Sequence, residues 1–206
     1  MKIKLCGLTN KDDAVQAAML GADALGFIFY EKSLRCVTPE TVQEIVPFLP
    51  PFVQVVGVFV DQPLAYIHDI AQQCRLDTIQ LHGEESPAYC MDVHHRVIKS
   101  FSVQSESDLE TMPMYQGLVS SVLVDTKVQN IRGGTGQTFD WSLANLVKEQ
   151  GVPLILAGGI NASNIEKAMQ LVSPYAVDIS SGVESEPGKK DYNKMSDVIR
   201  LAKGIR

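Results

Sequence analysis

Positive charge is scarce in this chain of 206 residues: 18 lysines and arginines stand against 24 aspartates and glutamates, a formal net charge of −6. Nucleic acid and anionic membrane surfaces both reward a basic face, so neither is expected as a partner. An anionic small molecule must then meet local cations or backbone dipoles. No apolar run approaches the ~20 residues of a membrane helix. The opening MKIKLCGLTN lacks the apolar stretch of a secretion signal, so a cytoplasmic location is the expectation. Cysteine is sparse too: Cys6, Cys36, Cys74 and Cys90 form no CxxC pair and have no histidine at metal-ligand spacing. That sets aside a zinc site and a disulfide framework and leaves free thiols. No GxGxxG follows the first strand-like run and no P-loop lysine motif occurs, so the usual nucleotide signatures are missing.

What is present is a rhythm. Short β-rich runs recur eight times: KIKLC, ALGFIF, VQVVGVFV, TIQLH, RVIKSF, SVLVD, PLILAG and AVDISS. Between them lie stretches with apolar residues at helical spacing, including 12–20, 63–74, 141–149 and 165–172, and a last one at 192–203. Alternation of strand and helix implies a parallel sheet. Eight similar units of roughly 26 residues favour closure into a single (β/α)8 TIM barrel of the α/β class over 1–206. The alternative is an open flavodoxin-like or Rossmann sheet. The Gly-rich NIRGGTGQTFDW, after the sixth strand, reads as a mobile loop over one end.

Barrel strands alternate between lumen and helix side, and chemistry is confined to the lumen and the C-terminal strand ends. Sending Ile3 and Leu5 toward the helices turns Lys4 and Cys6 inward together. The same parity puts Ile79 and Leu81 outside and Gln80 and His82 inside, Val122 and Val124 outside and Asp125 inside, and it turns Asp178 and Ser180 inward. Each has a bland alternative. Cys6 reads either as a buried hydrophobe or as a catalytic thiol whose pKa the Lys4 cation lowers, and Lys4 reads equally as the partner of Asp178. Asp125, closing an apolar strand, either caps the following loop or carries chemistry. His82 is a ligand group or a satisfied polar residue. Arg35 is a bidentate carboxylate clamp or a solvated surface arginine.

After strand seven comes LAGGIN, leading into a helix, and after strand eight comes ISSGVES. Small residues let backbone N–H groups approach an anion closely, and these two loops are the usual phosphate site of such barrels. Gly158, Gly159, Asn161, Ser180, Ser181 and Gly182 are the candidate contributors.

The segments KLCGLTN, GADALGFIFYEKSLRCV, VGVFV, QLHGEES, VDT followed by GGTGQTFDW, LAGGIN and VDISSGVESEPGKKD run in this order over nearly the whole chain. Together they resemble the phosphoribosylanthranilate isomerase family of tryptophan biosynthesis. The resemblance implies an Amadori rearrangement of N-(5-phosphoribosyl)anthranilate to 1-(o-carboxyphenylamino)-1-deoxyribulose 5-phosphate, with no cofactor and no metal. It implies Asp125 as the acid that opens the ribose ring and Cys6 as the base at C2. It assigns Arg35 to the anthranilate carboxylate and His82 and Asp178 to supporting positions. The chain departs from the family where proline is common at the positions of Glu31 and Leu34 and tyrosine at Cys36. A looser Arg35 loop and weaker substrate affinity are the expected consequence.

Other readings are a pentose-phosphate epimerase, an indole-forming synthase and a phosphometabolite-binding barrel without catalysis. The epimerase needs metal-binding His and Asp at several strand ends, whereas the chain has four histidines, two of them adjacent at His94 and His95. The synthase relies on lumen lysines, here chiefly Lys4, and the non-catalytic barrel requires loss of an acid or base that are both present. A phosphosugar substrate and a monomer are the expectation.

Overall fold

The computed structural model describes residues 1–125, 141–148 and 151–204. Eight parallel strands close into a barrel in chain order: β1 (Lys2–Cys6), β2 (Ala24–Ile28), β3 (Gln54–Phe59), β4 (Thr78–Leu81), β5 (Arg96–Ser102), β6 (Ser121–Asp125), β7 (Leu154–Ala157) and β8 (Ala176–Ile179). The expected (β/α)8 architecture is therefore the observed one, and the open sheet is set aside. Closure is made by β1 against β8, in a register that sets Lys4 beside Asp178. Outside the barrel run α1 (Lys11–Leu20), α2 (Pro39–Ile45), α3 (Leu64–Gln73), α4 (Pro87–Met91), α5 (Ser142–Lys148), α6 (Ile165–Val172) and α7 (Tyr192–Lys203). Among the described residues no helix is long and apolar enough to cross a membrane.

Local chemistry explains the helix ends. Asn10 accepts a bond from the Asp13 N–H to start α1, which ends at Gly21 in the left-handed region with φ of 104°. Thr38 and Ser86 cap α2 and α4, each with proline at the first helical position, where the missing N–H costs nothing. Asp191 caps the closing helix α7 by accepting from the Lys194 N–H at 3.0 Å. Asp191→Ala is expected to lower stability by about 1 kcal/mol, read as a shift in the urea midpoint at unchanged slope. No shift would show that packing alone holds the N-terminus of α7.

Two apolar layers follow the parity of the strands. Ile3, Leu5, Ile79, Leu81, Val122, Val124, Val177 and Ile179 join the large core between barrel and helices. Val56, Ile98, Leu123, Ile155, Ala157 and Ala176 fill the lumen. A buried ion pair, Lys99 to Glu85 at 3.0 Å, braces the loop after β4, with Lys99 also donating to the Gly83 carbonyl. Strict alternation fails once. Between β5 and β6 the chain makes two 3-10 turns, Glu106–Leu109 and Met112–Tyr115, in place of a helix. Asp108 accepts from the Gln104 and Ser105 N–H groups and, with Ser105, boxes the start of the first turn, while the second carries Pro113 in its opening positions. A two-stranded hairpin, β9 (Glu184–Glu186) with β10 (Lys189–Lys190), projects from the loop after β8. The Gly-rich loop read at 130–141 lies, apart from Trp141, outside the described residues.

Candidate active site

The C-terminal strand ends surround a cavity of about 840 Å³. Of the residues singled out from sequence, Cys6, Arg35, His82, Asp125 and Asp178 all line it. Cys6 closes β1 and Asp125 closes β6, while His82 directly follows β4. Round the barrel, β7 and β8 stand between the Asp125 strand and the Cys6 strand.

Beneath the opening, Lys4 Nζ donates to Asp178 Oδ1 at 2.9 Å, both side chains being almost fully buried. Lys4 thus serves as partner to Asp178 and also interacts with the Cys6 thiol. Lys4 pulls the thiol pKa down as expected, yet the net shift is upward. Burial, the largest influence, pushes Cys6 up beyond what the pull of Lys4 reverses, and Asp178, which sits against the same ammonium, pushes the thiol up as well. Space for the sulfur comes from Gly26 on β2, where a Cβ would lie 2.7 Å from Cys6 Sγ.

His82 Nε2 stands 3.7 Å from Asp125 Oδ2. On its other side the ring meets Gln80, whose Nε2 lies 3.1 Å from His82 Nδ1. Arg35 crosses the backbone of Gly7, which has φ of 73° and no room for a side chain, since a Cβ would meet Arg35 Cδ. The bidentate grip expected of Arg35 is here made to a protein carboxylate: Nε donates to Glu184 Oε1 at 2.7 Å and Nη2 to Glu184 Oε2 at 2.6 Å. Around it, the Ser33 hydroxyl accepts from the Arg35 N–H and Cys36 N–H bonds to the Ser33 carbonyl.

The remaining wall is made by the loops after β7 and β8. Gly158, Gly159, Ser180, Ser181 and Gly182 line the cavity. Ser181 and Gly182 open a 3-10 turn, Ser181–Val183, the short extra helix whose N-terminus accompanies phosphate sites in this architecture. Gly182 fits flush against loop seven, for a Cβ there would overlap the Ile160 carbonyl oxygen. Asn161 is the exception. Its amide donates to the Gly159 carbonyl and accepts from Ser163, and its own N–H is taken by Asn164 Oδ1, so it builds the turn and does not face the cavity. Asn164, passed over in the sequence, lines the cavity in its place. Ile28, Val58 and Val60, at the ends of β2 and β3, supply apolar lining suited to an aromatic ring, Tyr30 and Ser33 follow β2, and Trp141, just before α5, also lines the cavity. Among the described residues lining the cavity, Arg35 is the one arginine or lysine. The strand-parity rule reaches Ser180, whereas Gly158, Gly159, Ser181 and Gly182 were visible only through the small-residue motifs.

Comparison with known proteins adds to this geometry. A family model described as N-(5'phosphoribosyl)anthranilate (PRA) isomerase matches residues 3–200. The N-(5'-phosphoribosyl)anthranilate isomerase of Pelobacter propionicus is 50% identical over 206 residues, covering 100% of this chain and 97% of the relative. The solved phosphoribosyl anthranilate isomerase of Thermotoga maritima superposes with a TM-score of 0.93 at 43% identity, over 100% of both chains. A further solved phosphoribosyl anthranilate isomerase, in complex with reduced 1-(o-carboxyphenylamino)-1-deoxyribulose 5-phosphate, gives 0.90 at 40% identity, again over 100% of both chains.

Proposed function

From the premise that the chain belongs to the N-(5'-phosphoribosyl)anthranilate isomerase family and is an isomerase of tryptophan biosynthesis, we propose that Asp125 and Cys6 are its acid and base. Asp125 gives a proton to the ribose ring oxygen, the ring C–O bond breaks, and an iminium forms between C1 and the aryl nitrogen. Cys6 takes the proton from C2, the electron pair moves to cancel the iminium charge, and the resulting enolamine tautomerises to the ketone. Arg35 receives the anthranilate carboxylate, with the aryl ring against the apolar wall. His82 orients Asp125 and Asp178 holds Lys4. The phosphate takes the backbone donors of Gly158, Gly159, Ser180, Ser181 and Gly182, joined by Asn164.

The observation that carries the reading is an order round the rim. The small-residue loops follow β7 and β8, between Asp125 on β6 and Cys6 on β1. A phosphate anchored there leaves its ribose spanning from acid to base. All of these groups come from one chain, which supports residues 1–206 as one catalytic barrel domain acting on a small phosphosugar. The direct test supplies purified protein with phosphoribosylanthranilate made in situ from anthranilate and phosphoribosyl pyrophosphate, and follows the rearranged product. Absence of product from folded, reduced protein would overturn it. Gly182→Ala is expected to raise KM by roughly 10- to 100-fold, because separating loop eight from loop seven misplaces the phosphate donors. An unchanged KM in steady-state kinetics would take the phosphate elsewhere.

A further inference from the structure

Glu184 and Lys190 face each other on the hairpin and are used by no step above. Glu184 is held by three groups besides its own strand: the two bonds from Arg35, Lys190 Nζ at 2.9 Å and the Gly188 N–H at 3.4 Å, all on a side chain 5% exposed. Lys190, with a side chain wholly shielded from solvent, donates further to the Cys6 carbonyl at 2.6 Å and the Ser180 carbonyl at 3.1 Å. One ammonium therefore joins the end of the base strand, the end of the strand before loop eight and the carboxylate that grips Arg35.

A guanidinium has more than one edge that can offer two parallel N–H bonds. Glu184 takes the edge made by Nε and Nη2, which leaves the Nη1–Nη2 edge for a second carboxylate. Two cations share one anion in this trio, so one net positive charge remains, and Arg35 is the member that lines the cavity. We propose that Glu184, locked by Lys190, is a positioning residue that aims Arg35 and thereby sets the preference for a substrate carrying a carboxylate on its aryl ring. Burial works against the Glu184 carboxylate, yet the bonds from Arg35 and Lys190 outweigh it and hold its pKa at about 2, so the grip persists at any working pH. The inference rests on the assignment of Arg35 to the anthranilate carboxylate.

The test measures binding by calorimetry of two non-reacting ligands. One is reduced 1-(o-carboxyphenylamino)-1-deoxyribulose 5-phosphate, and the other is its counterpart made from aniline, without the carboxylate. Wild-type protein is expected to prefer the first by roughly ten- to a hundredfold, the scale of charge-assisted bonds to one carboxylate. In Glu184→Ala the preference is expected to fall most of the way to unity while affinity for the aniline ligand changes by less than about threefold. Glu184→Gln, which keeps the shape and partners for Lys190, is expected to lose part of it and guards against misfolding of the alanine variant. Equal weakening of both ligands would make Glu184 merely structural. A preference kept or enlarged would mean that Glu184 competes with the ligand rather than aiming Arg35. Either result overturns the proposal. Arg35→Ala keeps the two assignments apart: a preference surviving there would instead overturn the role of Arg35 itself.

Discussion

Replacing Cys6 with alanine is expected to lower kcat by about 10²- to 10⁴-fold, the range that a positioned general base contributes, with KM and the urea midpoint close to wild type. Cys6 is buried, but its replacement removes a single sulfur against the bare backbone of Gly26, a small loss beside the apolar layers of the barrel. The pH dependence is the sharper part of the expectation. Burial raises the thiol of the free enzyme above the ordinary thiol value, so at neutral pH it is mostly protonated and the basic form gains as pH rises. Accordingly kcat/KM, which reports the free enzyme, should climb with pH through and beyond the usual thiol range. Once the ribose ring has opened, the iminium places a positive charge next to C2 and favours thiolate, so the rising limb of kcat should lie at lower pH than that of kcat/KM. Near-normal kcat in Cys6→Ala would remove Cys6 as the base. Coincident limbs would remove the iminium from the account of its ionisation.

The positions of Cys6 and Asp125 were legible because a β-strand has a period of two and one face of each barrel strand must be apolar. In β1, Ile3 and Leu5 leave no choice but to turn Lys4 and Cys6 into the lumen. In β6, Val122 and Val124 do the same for Asp125, with Leu123 in the lumen core behind it. Such reasoning is local, and the closed sheet makes it global by bringing the strand ends together. It also carries the end of β8, where register places Asp178 beside Lys4.

Beyond the strand ends the same reasoning has no purchase. Asn161 and Asn164 both spend their amides on the same turn, and that Asn164 rather than Asn161 reaches the cavity is set by the path of that turn and not by residue type. Glu184 grips Arg35 across 149 residues of sequence, from a hairpin that local periodicity does not announce. The net upward shift of Cys6 was not legible, because parity places Lys4 and Asp178 near the thiol but does not measure how deeply it is buried. The segment between β5 and β6 shows the same limit, since Ser105 and Asp108 build a helix-start box there and yet two short 3-10 turns follow in place of an α-helix.

Asp125→Asn is expected to cost about as much as loss of the base, roughly 10²- to 10⁴-fold in kcat, and for a reason that can be separated from it. The amide keeps the size of the side chain and a donor N–H, so ligand binding and the contact side of His82, 3.7 Å away, should persist. What it lacks is a proton it can give up to the ring oxygen. Ring opening then becomes the slow step, ahead of any break of the C2–H bond. With substrate deuterated at C2, the variant should therefore turn over at the same slow rate as with protium. Cys6→Ser, which keeps a weaker base in place, should slow the later step and show a full primary isotope effect. An isotope effect retained in Asp125→Asn would shift that residue from ring opening to proton abstraction or to the final tautomerisation. A kcat near wild type would return the aspartate to the role of a strand-end cap, and the proton for ring opening would have to come from another group on the cavity wall, with His82, its neighbour, the first to examine.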